Sequence, residues 1–190
     1  MNKCSSMENP STSTSNRKII TFIGMMGTGK SKFGRLVAGH LSYNFYDIDS
    51  LIEKDQKNTI KNIFSKKGET FFRKIEKDKI KNLVTDIIEK EEKAILSLGG
   101  GAFDDRETRE ILNANTFVIW LNTPIDILVK RVGNAAKRPM IKGDVRNTIK
   151  DLLSKRIKYY SICDYKLDTN GLVENQILIK ILTKIKNQND

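Results

Sequence analysis

The chain is poor in the residues that build disulfide scaffolds and metal centres, with two cysteines and one histidine in 190 residues. Cys4 and Cys163 allow one disulfide at most, which excludes a disulfide-stapled extracellular scaffold and favours a reducing compartment. His40 alone cannot complete a zinc site built from cysteine and histidine. Hydrophobic runs are also short, and none approaches the roughly 20 apolar residues of a membrane-spanning helix. We therefore expect a cytoplasmic protein without a membrane partner.

Length and charge further limit the number of domains and the kind of partner that the sequence allows. A mass of 21.7 kDa suits one compact domain rather than two. Lysine and arginine total 34 against 23 acidic residues, and the formal charge of +11 suits an anionic partner. The basic residues are spread along the chain, without patches of interleaved aromatics or a recognisable DNA-reading helix, so we expect no nucleic-acid partner. The sequence is silent on assembly, and a monomer is the default expectation.

Composition divides the chain into a leader and one domain. Residues 1–17 are rich in Ser, Thr and Asn, lack apolar periodicity and are predicted to be a flexible leader. Serine enrichment fits a targeting remnant, whereas Glu8 and the short length argue against one, so that question stays open. Residues 18–190 are predicted to form a single domain.

Strand-like and helix-like patterns alternate through this domain. Short apolar runs predict strands at 19–23, 94–98 and 117–121. A further strand that ends in acids is predicted at 45–49, and a weak one at 165–168. Between them, Thr59 is expected to cap a short helix that Gly68 ends, and Thr123 to cap a helix with Pro124 in its first turn. The alternation predicts an α/β fold with a parallel sheet and helices on both faces.

The segment Gly24–Ser31 fits the pattern G-x-x-x-x-G-K-[ST] and lies between a predicted strand and a predicted helix. Glycines let backbone N–H groups converge on a phosphate, and the helix N-terminus adds partial positive charge there. Lys30 can reach the β- and γ-phosphates, and the Ser31 hydroxyl can bind Mg²⁺. The segment predicts a nucleoside triphosphate site; the alternative is a glycine-rich turn that only begins a helix.

Further polar residues follow the other predicted strands. Asp47 and Asp49 are two apart at a predicted strand end and are expected to share one face. One can hold the metal ion through its water shell while the other accepts a proton from an attacking hydroxyl. The alternative is a pair of solvated acids.

Two arginines and a run of glycines complete the candidate site. Arg73 shares a helix face with Glu76, and Arg156 lies on a later helix. Two arginines around one site suit a carboxylate ligand, because each can bind it through two parallel hydrogen bonds. Gly99–Gly101 leave backbone N–H groups open to a ligand, and Arg138 lies in a predicted mobile loop at 133–145. The alternatives are a surface ion pair and a flexible turn.

Five segments carry a resemblance to a known family when they are taken in order. They are Gly24–Ser31, Tyr46–Asp49, Gly68–Glu76, Leu98–Ala102 and Lys137–Met140. Together they resemble shikimate kinase, over about residues 18–186. The resemblance implies a three-layer P-loop NTPase of the nucleoside-monophosphate-kinase type. Such a fold has a five-stranded parallel sheet, a substrate-binding helical segment at about 50–76 and a lid at about 133–145.

The resemblance also implies an activity and residue roles. The activity is ATP-dependent phosphorylation of the 3-hydroxyl of shikimate, a step of chorismate and aromatic amino-acid biosynthesis, with Mg²⁺ as cofactor. Catalysis would depend on Lys30, Asp49 and Arg138, and the metal would be held by Ser31 and Asp47. The nucleotide would be bound by Gly27, Thr28, Gly29, Lys30, Ser31, Lys32, Arg131 and Arg138. Shikimate would be bound by Asp49, Arg73, Glu76, Gly99, Gly100, Gly101 and Arg156.

Two positions depart from the family pattern. Lys32 stands where many members have a threonine hydroxyl, and residues 168–171 lack the adenine-side arginine that the family often has there. The Lys32 side chain cannot replace that hydroxyl, although its backbone N–H can still bind phosphate. The missing arginine suggests weaker nucleotide affinity or weaker base selectivity. Two other functions stay open: a gluconate-kinase-like sugar-acid kinase, and a catalytically silent shikimate-kinase-like binding protein.

Overall fold

A computed structural model describes residues 18–133 and 144–188. The predicted leader and most of the predicted lid, with Arg138, lie outside these residues. The strands are β1 Ile19–Ile23, β2 Asn44–Asp47, β3 Ala94–Ser97, β4 Phe117–Asn122 and β5 Tyr165–Asp168. The helices are α1 Lys30–Leu41, α2 Ile48–Gln56, α3 Ile60–Glu89, α4 Arg106–Asn115, α5 Ile125–Val132, α6 Val145–Tyr160 and α7 Glu174–Lys186, with a 3₁₀ turn at Ala102–Asp104.

The five strands form one parallel sheet in the order β2-β3-β1-β4-β5. Every residue of β1 and β3 is buried, which explains why all but Thr21 and Ser97 in these strands are apolar, without alternation. Successive residues of β1 enter different cores: Ile23 packs with residues of α3 to α6, and Phe22 with residues of α1 and α7. The predicted α/β fold, a five-stranded parallel sheet with helices on both faces, is confirmed.

The second strand is shorter than the predicted 45–49. It ends at Asp47, which has an extended backbone and is the N-cap residue of helix α2. The Asp47 side chain accepts a hydrogen bond from the Ser50 N–H at 3.1 Å. Aspartate is among the best N-caps, and here local capping overrides the strand pattern. The prediction that Asp47 and Asp49 share one strand face was therefore wrong, since Asp49 lies in the first turn of α2.

Helix α3 is two helices joined at Gly68. Thr59 caps it by accepting from the Asn62 N–H at 3.2 Å, and Gly68 breaks it with φ 79° and ψ 171°. Both features were predicted, and the second half carries Arg73 and Glu76. Within 18–133 and 144–188, no helix combines the length and apolarity required to cross a bilayer.

The start of α5 differs from the prediction. Pro124 is the N-cap residue itself, with ψ 142°, so the helix begins one residue later, at Ile125. Thr123 provides no side-chain cap, because its hydroxyl forms a buried hydrogen bond of 2.9 Å with Thr169. This bond joins the loops that follow β4 and β5.

Candidate active site

Two cavities, each of about 630 Å³, lie side by side beyond the carboxyl ends of the central strands. Parallel α/β sheets bind their ligands at this edge. The loop cavity is lined mainly by the glycine-rich segment and the start of α7: Met26, Gly27, Gly29, Lys30, Ser31, Lys32, Phe33, Asp47, Asp49, Ser97, Leu98, Gly99, Gly100, Arg131, Leu172, Val173, Glu174 and Ile177. The arginine cavity is lined by Met26, Asp49, Ser50, Glu53, Thr59, Ile60, Lys61, Phe64, Phe72, Arg73, Glu76, Gly99, Gly100, Gly101 and Arg156. Asp49 belongs to both cavities.

The glycine-rich segment forms a tight loop between β1 and α1. Gly24 has φ 136°, and a Cβ there would lie 2.6 Å from the Leu121 carbonyl oxygen, so the position admits only glycine. Lys30 is buried, and its Nζ donates to the Gly24 and Met25 carbonyls at 2.9 Å each. The loop thus holds its lysine in place beside the loop cavity.

The same loop is braced by two further side chains. The buried Thr28 hydroxyl donates to the Met25 carbonyl at 2.9 Å, and the Thr28 N–H donates to the same carbonyl at 3.4 Å. From α5, Arg131 donates to the Gly27 carbonyl at 3.0 Å and also lines the loop cavity. These bonds keep the loop in a shape whose N–H groups can surround an anion.

Oxygen donors gather on one side of the loop cavity. The Ser31 hydroxyl lies 3.2 Å from the hydroxyl of Ser97, which pairs in register with Asp47 across β2 and β3. Mg²⁺ prefers oxygen ligands and uses one or two carboxylates together with phosphates and water. Two hydroxyls beside the carboxylates of Asp47 and Asp49 fit that ion. Ser97 was not predicted, because its role depends on a contact with a residue 66 positions away.

Lys32 does not extend along the loop. Its ammonium group forms an ion pair with Glu174 at the start of α7, and both residues line the loop cavity. The lysine therefore joins α1 to α7 at the rim of the cavity.

On the other side, Arg73 is held by two acids of its own helix. It donates to Glu76 at 2.6 Å through one terminal nitrogen, and to Glu69 at 3.3 Å and 3.2 Å through Nε and the other terminal nitrogen. The predicted pair of Arg73 and Glu76 is thus present, and it is no solvated surface pair, since only 2% of the Glu76 side chain is exposed.

Burial raises the pKa of Glu76 to about 7, although the neighbouring Arg73 lowers it and Asp49 raises it further. One carboxyl oxygen accepts from Arg73, while the other has no hydrogen-bond partner among the described residues. That second oxygen and Asp49 Oδ1 lie 2.6 Å and 2.9 Å from one point, the position that a Cβ on Gly99 would occupy. The carboxyls of Glu76 and Asp49 therefore face each other across Gly99.

Arg156 approaches the same point from α6. It is 4% exposed, and its Nε donates to Asp104 at 2.9 Å. A Cβ on Gly101 would lie 2.7 Å from a terminal nitrogen of Arg156 and would collide with the guanidinium group of Arg73. The two arginines therefore converge on Gly101, where an organic acid can be held between them.

A buried tyrosine at the end of α6 holds the backbone of the glycine run. The hydroxyl of Tyr160 donates to the Gly100 carbonyl, and burial raises the pKa of that phenol, so it stays protonated. Within 18–133 and 144–188, the site residues predicted from the sequence line one of the two cavities, except Thr28, which lies within the loop. Arg138 falls outside the described residues. Sequence analysis missed Asp104 and Tyr160, because only their long-range contacts reveal them.

Stability should respond to the titration of Glu76. Its folded pKa of about 7 lies above its ordinary 4.5, so its contribution to the free energy of unfolding is complete below about pH 4.5 and is lost as pH rises through about 7. Glu76→Gln lacks this titration. Urea unfolding at a series of pH values should show wild-type stability falling relative to Glu76→Gln across that window. A difference that does not vary with pH would contradict the shift, and the exposed Glu110→Gln serves as control.

A glycine-rich loop that encloses a lysine, a parallel sheet and an adjacent cavity for an organic anion define a P-loop phosphotransferase. Comparison with known proteins identifies which one. A sequence model of the shikimate kinase family matches residues 26–186. The chain is 38% identical to the shikimate kinase of Persephonella marina over 167 residues, which cover 88% of this chain and 98% of that protein. The chain belongs to the shikimate kinase family.

Solved structures agree with this assignment. The shikimate kinase of Acinetobacter baumannii in complex with shikimate is 31% identical and superimposes with a TM-score of 0.82, covering 89% of this chain and 93% of that one. The shikimate kinase of Aquifex aeolicus is 29% identical with a TM-score of 0.72, covering 89% and 96%. A sugar kinase from Janibacter is 16% identical with a TM-score of 0.60, which shows a shared fold alone.

Proposed function

We propose that this chain transfers the γ-phosphoryl group of ATP to the 3-hydroxyl of shikimate, a step of chorismate and aromatic amino-acid biosynthesis. The observation that carries the proposal is the pair of adjoining cavities with Asp49 common to both. One has the phosphate loop for the donor, and the other has two arginines for a carboxylate acceptor. A transfer between two bound substrates requires such adjacency.

The carboxylate of shikimate would lie between Arg73 and Arg156, with the backbone of Gly99–Gly101 beside it. Each charge-assisted hydrogen bond of this kind contributes about 1.5–3 kcal/mol. Glu76 would act on the substrate indirectly, by holding Arg73. A neutral acceptor would leave two guanidinium groups poorly paired, which supports an acidic substrate.

The triphosphate would follow the loop from Gly27 to Lys32, with the backbone N–H groups and Lys30 around its phosphates and Arg131 near the adenine. Ser31 and Asp47 would hold Mg²⁺, which neutralises phosphate charge when bound. Arg138 lies outside the described residues, and its role at the phosphates stays a prediction. Lys32 would contribute its backbone N–H, because its side chain is paired with Glu174.

The chemical step would be an in-line displacement. The 3-hydroxyl oxygen forms a bond to the γ-phosphorus, the bond from that phosphorus to the β-γ bridging oxygen breaks, and ADP leaves. Asp49 would accept the hydroxyl proton, since it lies where the two cavities meet.

The test is coupled ADP release with and without shikimate, repeated with gluconate. We expect release that depends on shikimate. Equal rates with and without it would contradict the proposal and favour a catalytically silent binding protein, whereas a preference for gluconate would favour the sugar-acid kinase.

Arg73→Ala should raise the KM for shikimate by roughly tenfold or more, because one charge-assisted hydrogen bond is lost. Steady-state kinetics at saturating ATP measure it. Arg106→Ala on α4 is the matched control, since Arg106 is exposed and pairs only with Glu110 among the described residues. An unchanged KM for Arg73→Ala would remove Arg73 from the acceptor site.

We also propose that the enzyme acts as a cytoplasmic monomer. The scarcity of cysteine and the small size of the domain support this. Light scattering of the purified chain tests the monomer, and a mass above 21.7 kDa in solution would contradict it.

A further inference from the structure

Arg156 owes its orientation to Asp104. A buried guanidinium group requires a fixed counter-charge, and Asp104 Oδ2 accepts from Arg156 Nε at 2.9 Å. Asp104 is the last residue of the 3₁₀ turn that follows the triple glycine, 52 positions before Arg156. The other carboxyl oxygen of Asp104 has no hydrogen-bond partner in the described part of the chain, so this bond is its main side-chain contact there.

This bond engages the Nε edge of the guanidinium group, and one terminal nitrogen also donates to Met25 Sδ at 3.9 Å. Because Nε is engaged by Asp104, the two terminal nitrogens lie along the glycine run. One is 3.5 Å from the position of a Cβ on Gly100, and the other is 2.7 Å from that on Gly101. Asp104 itself lines a smaller cavity of about 300 Å³ that also contains Arg73 and Gly101. Asp104 therefore contacts Arg156 directly and shares a cavity wall with Arg73.

The backbone of Asp104 is fixed as well. Arg109 of α4 donates to the carbonyls of Phe103 and Asp104 at 2.9 Å and 2.7 Å. The guanidinium carbon of Arg109 also lies 4.3 Å from the ring centroid of Tyr159 on α6, the helix that carries Arg156. The 3₁₀ turn and α6 are thus joined by two arginines, which makes Asp104 a rigid support.

We propose that Asp104 is a positioning residue for acceptor recognition. It holds Arg156 by Nε so that both terminal nitrogens can meet the carboxylate of the substrate, as Glu76 holds Arg73. The proposal rests on the proposed function, and it gives each of the two arginines its own carboxylate support. A guanidinium group held in advance loses less conformational freedom when the ligand binds.

Asp104→Asn should raise both the KM and the calorimetric Kd for shikimate by roughly tenfold, the usual loss for one misplaced charge-assisted hydrogen bond. Meanwhile kcat should change little, because the residue touches neither the reacting hydroxyl nor the phosphates. Glu110→Gln, which removes an exposed carboxylate from an ion pair on α4, should leave both constants unchanged.

A double mutant separates positioning from a general structural effect. If Asp104 acts through Arg156, then adding Asp104→Asn to Arg156→Ala should raise the KM no further. Effects that multiply would overturn the proposal, and so would a KM that stays constant or falls in Asp104→Asn. A fall would mean that Asp104 competes with the substrate for Arg156.

A further variant and a binding measurement keep the test decisive. Should Asp104→Asn fail to fold, Asp104→Glu keeps the charge and displaces the carboxylate by one methylene group. A raised KM with unchanged kcat in that variant supports positioning, and an unchanged KM overturns it. Wild-type protein that neither binds nor phosphorylates shikimate would contradict the proposed function, and this proposal with it. Active wild type with unaffected Asp104 variants contradicts the positioning role alone.

Discussion

Replacing Asp49 by asparagine should lower kcat by about 10²–10⁴-fold, the usual contribution of a general base, while ATP binding survives. The amide keeps the size and shape of the carboxylate but cannot accept the proton of the 3-hydroxyl. On the proposed function, nucleotide affinity would depend on the loop and Lys30 instead.

Steady-state kinetics give kcat, and calorimetric titration with a non-hydrolysable ATP analogue gives the affinity. Asp55→Asn is the matched control, because Asp55 lies on the same helix, is exposed and pairs with Lys79. Lost nucleotide binding in Asp49→Asn would instead assign Asp49 to the nucleotide site. An unchanged kcat would remove it from the chemistry.

The phosphate loop could be predicted because its residues are contiguous. Eight neighbouring positions determine the glycine conformations, the helix start and the lysine, so no distant contact is needed to recognise it. The parallel sheet could also be predicted, because central strands that are buried on both faces consist mostly of apolar residues. The ion pair between Arg73 and Glu76 could be predicted from helix spacing, because residues three apart lie on one face of a helix.

The residues that were missed depend on contacts between distant parts of the chain. Ser97 and Asp104 gain their roles from residues 66 and 52 positions away, and no local pattern marks them. The wrong assignment of 45–49 has a different cause, since Asp47 can end a strand or cap a helix. Its hydrogen bond to the Ser50 N–H decided in favour of the helix.

The glycine run has a second role that its sequence did not indicate. The sequence suggested open N–H groups, yet at Gly101 the space of a missing side chain is occupied by the tips of Arg73 and Arg156. This leads to the second prediction with a large effect. Gly101→Ala should raise the KM for shikimate by roughly 10²-fold or more, because two charge-assisted hydrogen bonds at about 1.5–3 kcal/mol each are misplaced together.

The variant should still fold. Gly101 has φ −106°, which alanine adopts without strain, and the colliding atoms are the ends of flexible side chains that can move aside. Gly39→Ala is the matched control: it lies in α1 with no atom within 4 Å of an added Cβ, and alanine there should stabilise the helix by about 0.5–1 kcal/mol. Thermal unfolding shows whether each variant folds, and steady-state kinetics give its KM for shikimate. If Gly101→Ala binds shikimate as well as the wild type does, the two arginines do not need their observed positions, and the acceptor must be held by other groups.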